Sequence, residues 1–112
     1  MVKRYFPQKG DFVTVTFDPQ SGHEQKGRRP ALVISNNLFT KNTGLSLVCP
    51  TTKTDRGFPF HVKIKGCKKI SGFIMVEQVK SIDYKSRNVK FIEKAPVEIL
   101  NEALSILDAI IY

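Results

Sequence analysis

Tryptophan is absent, cysteine and histidine occur twice each, and no apolar run approaches the roughly 20 residues of a membrane-spanning helix. Cys49 and Cys67 form no CxxC pair, and neither they nor His23 and His61 have the spacing of zinc ligands. The expectation is two reduced, partly buried thiols, with no metal site and no cofactor. Residues 1–6 carry no apolar stretch behind their charges, so no signal peptide is expected, and the cytoplasm is the expected location.

Acid is the most unevenly missing component. Between Gln25 and Val76 the one acidic residue is Asp55, against ten basic residues. From Glu77 onward six acids meet five bases. The net charge of +8 therefore comes from the middle of the chain, which suits a polyanionic partner if those side chains share a face. Its 112 residues, with 41% hydrophobic and 25% charged content, predict one folded domain, residues 1–112, without repeats or low-complexity linkers.

What is present divides into strands and one helix. Residues 13–17 alternate as Val-Thr-Val-Thr-Phe, a half-buried strand between the turn signals Gly10-Asp11 and Asp18-Pro19. Residues 31–34 form an apolar run read as a buried strand, followed by N-cap candidates at residues 35–37 for a short helical turn. Residues 45–49 predict a third strand that Pro50 stops. In residues 60–65 alternation predicts apolar side chains inward, with His61, Lys63 and Lys65 outward. Residues 72–76, 79–82 and 89–92 supply further strands. From Pro96 the period changes, and Leu100, Leu104, Leu107 and Ile111 recur at helical spacing, flanked by Ile99, Ala103, Ile106 and Ile110. Six to seven short strands and a terminal helix predict an α+β fold, a small SH3-like antiparallel β-barrel or twisted sheet with a C-terminal α-helix.

The loop His23-Glu24-Gln25-Lys26-Gly27-Arg28-Arg29-Pro30 concentrates chemistry between two strands. A carboxylate beside guanidinium groups suits a phosphodiester, because one group can take a proton while the others hold the phosphate. Read alone, such a cluster is more simply a surface turn of solvated charges. A second polar loop, residues 51–59, is rich in hydroxyls and also carries Lys53 and Arg56.

Several stretches together resemble the MazF (PemK-like) toxins: Phe17-Asp18-Pro19, residues 22–31, Pro50-Thr51-Thr52, Gly57-Phe58-Pro59-Phe60 and Glu77-Gln78-Val79-Lys80-Ser81-Ile82. The resemblance implies a ribosome-independent endoribonuclease of a bacterial toxin–antitoxin pair. It would cut single-stranded mRNA at short motifs without metal, as a homodimer whose groove crosses the dimer interface. A disordered acidic segment of a cognate MazE-like antitoxin would block that groove. The family's working residues correspond to Glu24, Arg29 and Thr52, and its RNA-binding positions to Phe17, Arg56, Gln78 and Lys80. His23, Arg28 and Lys53 depart from the family pattern and join the RNA-binding set. The general acid is Arg29 or His23. Two other functions compete. One is a non-enzymatic gyrase inhibitor like the CcdB toxins, whose Trp-Gly-Ile ending Ile110-Ile111-Tyr112 lacks. The other is an RNA-binding barrel that does not cut.

Overall fold

A computed structural model describes residues 5–17 and 28–112. Seven strands and two helices follow in order: β1 (Asp11–Thr16), β2 (Arg28–Val33), α1 (Asn37–Thr43), β3 (Leu45–Thr52), β4 (His61–Lys63), β5 (Phe73–Met75), β6 (Lys80–Asp83), β7 (Lys90–Lys94) and α2 (Val97–Ile111). A single 3₁₀ turn, Val76–Gln78, links β5 to β6. All pairings are antiparallel, in the order β4-β5-β3-β2-β1-β7 with β6 also on β3. The predicted α+β class, strand number and terminal helix are present, and among the described residues the sheet is open.

Strand β3 organises this topology. One edge pairs with β2 from Val48 to Pro50. The other pairs with β6 from Leu45 to Val48 and then with β5 at Thr51 and Thr52. Pro50 was expected to stop the strand, but it lies between these two ladders, where no neighbour on that edge needs its missing N–H. The strand therefore runs on to Thr52. The second strand, expected over residues 31–34 with Pro30 closing the loop before it, starts earlier at Arg28, with Pro30 opposite Thr14. Pro30 stands one residue past the last β2–β3 pair, Ala31 with Pro50.

Alternation sorts these strands into two clusters. Phe12, Leu32, Cys49, Val62 and Ile74 belong to the larger core, joined by Ile99 and Ala103 of α2, with Leu100, Leu104, Ile106 and Leu107 packed around them. Val13, Val15, Ala31, Val33, Val48 and Ile82 form the second, closed by Tyr5, Phe17 and Val89. Helix α2 thus buries a shorter stripe than its pattern predicts, because its last turn stays open. Ile99 and Ala103 are its buried residues, while Ile110 and Ile111 are 44% and 63% exposed. Helix α1 extends past the single turn expected. Asn36 Oδ1 accepts from Phe39 N at 2.8 Å, and Gly44, at φ +75°, ends the helix.

The outward placement of His61 is overturned. Strand β4 begins at His61, so Phe60 falls in a turn, 42% exposed. The His61 side chain is 3% exposed, with Nε2 3.0 Å from Glu77 Oε2 and the Phe58 ring tilted against it at 5.1 Å. A carboxylate partner and an aromatic lid outweigh the two-residue alternation here.

Candidate active site

The β2–β3 register places the central pair. Ala31 opposes Pro50 and Val33 opposes Val48. The ladder ends at the first of these pairs, and its register carried on by two residues would set Arg29 opposite Thr52, on one face of the sheet. Both residues line a cleft of about 450 Å³ together with Lys53. Arg29 is exposed, and among the described residues its guanidinium has no hydrogen-bond or ion-pair partner. Thr52 is half-buried, and its Oγ1 accepts from Thr54 N at 3.2 Å. That bond fixes the hydroxyl oxygen and leaves its proton to be donated.

Two close approaches hold this wall. Thr51 Oγ1 donates to Pro30 O at 3.2 Å, continuing the β2–β3 connection where the ladder has ended. On the other side of β3, Gly72 has φ +108°, and a Cβ there would lie 2.4 Å from Thr52 O. Glycine is required for both reasons, the backbone angle and the space. The sequence marks Gly72 as the start of a strand; its role against Thr52 becomes apparent only once β5 pairs with β3.

The adjacent arginines diverge. Arg28 lies on the opposite face, and its Nη1 donates to Thr16 Oγ1 at 2.8 Å and to Asn88 O at 3.0 Å. Its Nη2 donates to Thr14 Oγ1. The guanidinium is therefore engaged in joining β1 to the turn before β7. Phe17 and Lys80 meet, with Lys80 Nζ 5.3 Å from the centre of the Phe17 ring. Phe17 is also anchored by its carbonyl, which accepts from Arg87 Nη1 at 3.0 Å. Its ring packs on the second cluster and stays partly open. Gln78 is exposed at the end of the 3₁₀ turn, two residues before Lys80. Arg56 is exposed in the loop between β3 and β4, where Asp55 Oδ1 accepts from Gly57 N at 3.0 Å. His23 and Glu24 lie outside the described residues.

The opposite wall of the cleft is a turn that the sequence pattern did not single out for function. It contributes Cys67, Lys68, Lys69 and Ser71. The signal was a lysine pair between two turn glycines, Gly66 and Gly72, which reads as an ordinary solvated turn until the fold brings it over Arg29. Both thiols are free. Burial, and then the nearby Glu77 carboxylate, push the Cys49 thiol up to about 12. Cys67 is raised more modestly, by burial first and Glu93 second. Neither is a poised nucleophile.

The sequence profile described as PemK-like, MazF-like toxin of type II toxin–antitoxin system matches residues 8–111. The chain is 42% identical over 87 residues to the endoribonuclease toxin MazF of Escherichia coli K12, covering 78% of each chain. It is 40% identical to the endoribonuclease toxin ChpB of the same organism, covering 99% of each. Among solved structures it resembles MazF from Deinococcus radiodurans, with TM-score 0.85 and 37% identity over 96% of this chain and 98% of that one. A MazE–MazF complex from that organism gives TM-score 0.86 at 34% identity, over 96% and 97%. On the profile match and these whole-length similarities, the chain belongs to the PemK-like, MazF-like family of toxins of type II toxin–antitoxin systems.

Proposed function

We propose that this chain is an endoribonuclease toxin that cuts single-stranded mRNA in the cytoplasm and is neutralised by an acidic antitoxin. The observation that carries the reading is the cleft that Arg29 and Thr52 line together, with no acid among its described lining residues. The relatives bearing the names endoribonuclease MazF and ChpB support the reaction class.

In the proposed reaction the RNA supplies its own nucleophile. Glu24 removes the proton of a 2′-hydroxyl, whose oxygen attacks the adjacent phosphorus while the bond from phosphorus to the 5′-oxygen breaks. The products are a 2′,3′-cyclic phosphate and a 5′-hydroxyl. Arg29 offers a planar fork to two phosphate oxygens and stabilises the crowded phosphorane. Thr52, its oxygen already fixed by Thr54 N, donates its proton to a non-bridging oxygen. The leaving 5′-oxygen takes a proton from His23 or Arg29. Guanidinium yields a proton reluctantly near neutrality, so Arg29 acts first as stabiliser.

The RNA extends over Phe17, Lys80 and Gln78, with Lys53 and Arg56 along its path. A base stacks on the open side of Phe17, whose ring the Lys80 ammonium already approaches. Arg28 we assign to the fold, because its donors are engaged on Thr14, Thr16 and Asn88. The working unit is a homodimer with the groove across its interface, and the antitoxin lays an acidic segment along the basic cleft. A chain of net charge +8 favours such a partner at long range.

A digest of long, unstructured RNA in EDTA, with chemical mapping of the ends, tests this reading. Discrete cuts with 2′,3′-cyclic phosphate and 5′-hydroxyl ends, lost in Arg29→Ala, are expected. Intact RNA from folded wild-type protein across many sequences overturns it.

A further inference from the structure

The turn opposite Arg29 is held more firmly than a solvated loop requires. Glu93, on β7, accepts from both of its lysine amides: Oε1 from Lys69 N at 2.6 Å and Oε2 from Lys68 N at 3.4 Å. Glu93 itself is paired with Phe12 in the β1–β7 ladder, so the clamp is tied to the main core. Ile70, 8% exposed, plugs the turn into that same core. The backbone donors of Lys68 and Lys69 are thus occupied, while both residues are exposed and line the cleft.

The charge count exceeds what one phosphate needs. Arg29 and Lys53 stand on the strand wall and Lys68 and Lys69 on the turn wall, with no acid among the described lining residues. Each phosphate of a single strand carries one negative charge. Even with the carboxylate of the proposed base Glu24 counted, four cations match more than the phosphate being cut, and the two on the turn are separate from the Arg29–Thr52 wall.

We propose that the Lys68–Lys69 turn is a subsite for an RNA phosphate flanking the scissile one, and that Glu93 is the positioning residue that holds this turn over the cleft. The proposal rests on the endonuclease reading above and deepens it.

The test compares wild type with the double variant Lys68→Gln/Lys69→Gln on RNAs containing one cut site. Each flanking phosphate is replaced in turn by a neutral methylphosphonate, and kcat/KM is measured. At one flanking position wild type loses about fivefold, the scale of an exposed ion pair. The double variant loses a similar factor on natural RNA and nothing further from that methylphosphonate, since the interaction is already gone. Its log–log salt dependence becomes shallower by about 0.7 per contact removed. Equal sensitivity of both proteins at every flanking position overturns the subsite.

Glu93 is tested by sign. Removing its charge in Glu93→Ala makes the protein more basic, so charge alone predicts tighter RNA binding. Positioning predicts the reverse: weaker binding and a lower kcat/KM with both lysines intact, partly restored in Glu93→Gln, which keeps one acceptor oxygen. Tighter binding or unchanged kcat/KM in a folded Glu93→Ala overturns the positioning role. If that variant does not fold, Glu93→Gln decides by the same sign. A wild type that cuts no RNA overturns the endonuclease reading and the subsite together. A wild type that cuts, with the lysine variant unaffected, overturns the subsite alone.

Discussion

The two faces of the sheet are made from alternate residues of the same strands, yet they are closed in different ways. The Phe12–Leu32–Cys49 face is covered by helix α2, whose Ile99 and Ala103 complete a core. The Val13–Ala31–Val48 cluster draws no apolar residue from either helix among the described residues and is closed by Tyr5, Phe17 and Val89. Followed outward along β2 and β3, that second face ends in Arg29 and Thr52, and along β1 and β6 in Phe17 and Lys80. Burial saturates one face, while the other leaves its strand ends free to present chemistry.

Substitutions on the two faces should separate stability from activity, and the largest effect belongs to the helix-covered side. Phe12→Ala removes a fully buried ring and is expected to cost about 3–5 kcal/mol in urea unfolding, enough to leave little folded protein. Gly72→Ala comes next, because it acts where the site meets the fold. The added methyl group forces Thr52 O away and strains a positive φ, at about 1–3 kcal/mol. Cleavage should fall about tenfold or more even at temperatures where the variant is folded, since roughly an ångström of displacement suffices. Unaltered cleavage would show that Thr52 need not be held where it is.

Alkaline pH probes the buried face without substitution. The Cys49 thiol ionises near 9 in the unfolded chain and near 12 in the folded one. Its contribution is intact below about pH 9 and is lost as pH rises toward 12, because the unfolded state releases its proton first. Tyr5, raised by burial and by its bond to Asp11, acts in the same direction above 10. Urea midpoints should therefore fall from pH 9 upward, and less steeply in Cys49→Ala. The smallest expected effect is Lys80→Ala, which removes the contact with Phe17. It should change stability by no more than about 1 kcal/mol while weakening RNA binding measurably.

Most strands and the terminal helix were legible in the residues, because their apolar periods are set by local packing. The ends of strands were not. Pro30 and Pro50 read as boundaries, yet each lies where a ladder has stopped or changed partner, a fact that belongs to the pairing and not to the dipeptide. The same ignorance of pairing hid the contribution of residues 67–71, since nothing local says that this turn folds over Arg29. His61 failed for a related reason: its partner Glu77 is sixteen residues away and outvotes the alternation. Within the site, Arg28 and Arg29 are indistinguishable as letters. Strand parity alone sends one into the fold and the other into the cleft.

That divergence offers the most direct test of the account. Single-turnover RNA cleavage and thermal unfolding should be measured side by side for Arg29→Ala and Arg28→Ala. Arg29→Ala is expected to lose about 100-fold or more in rate with stability within about 0.5 kcal/mol of wild type. Arg28→Ala should retain its rate within a few-fold while losing about 1–3 kcal/mol of stability, because it leaves Thr14, Thr16 and Asn88 without their donor. The reverse pattern, a stable but inactive Arg28→Ala and an active Arg29→Ala, would contradict the assignment of the cleft as the catalytic site.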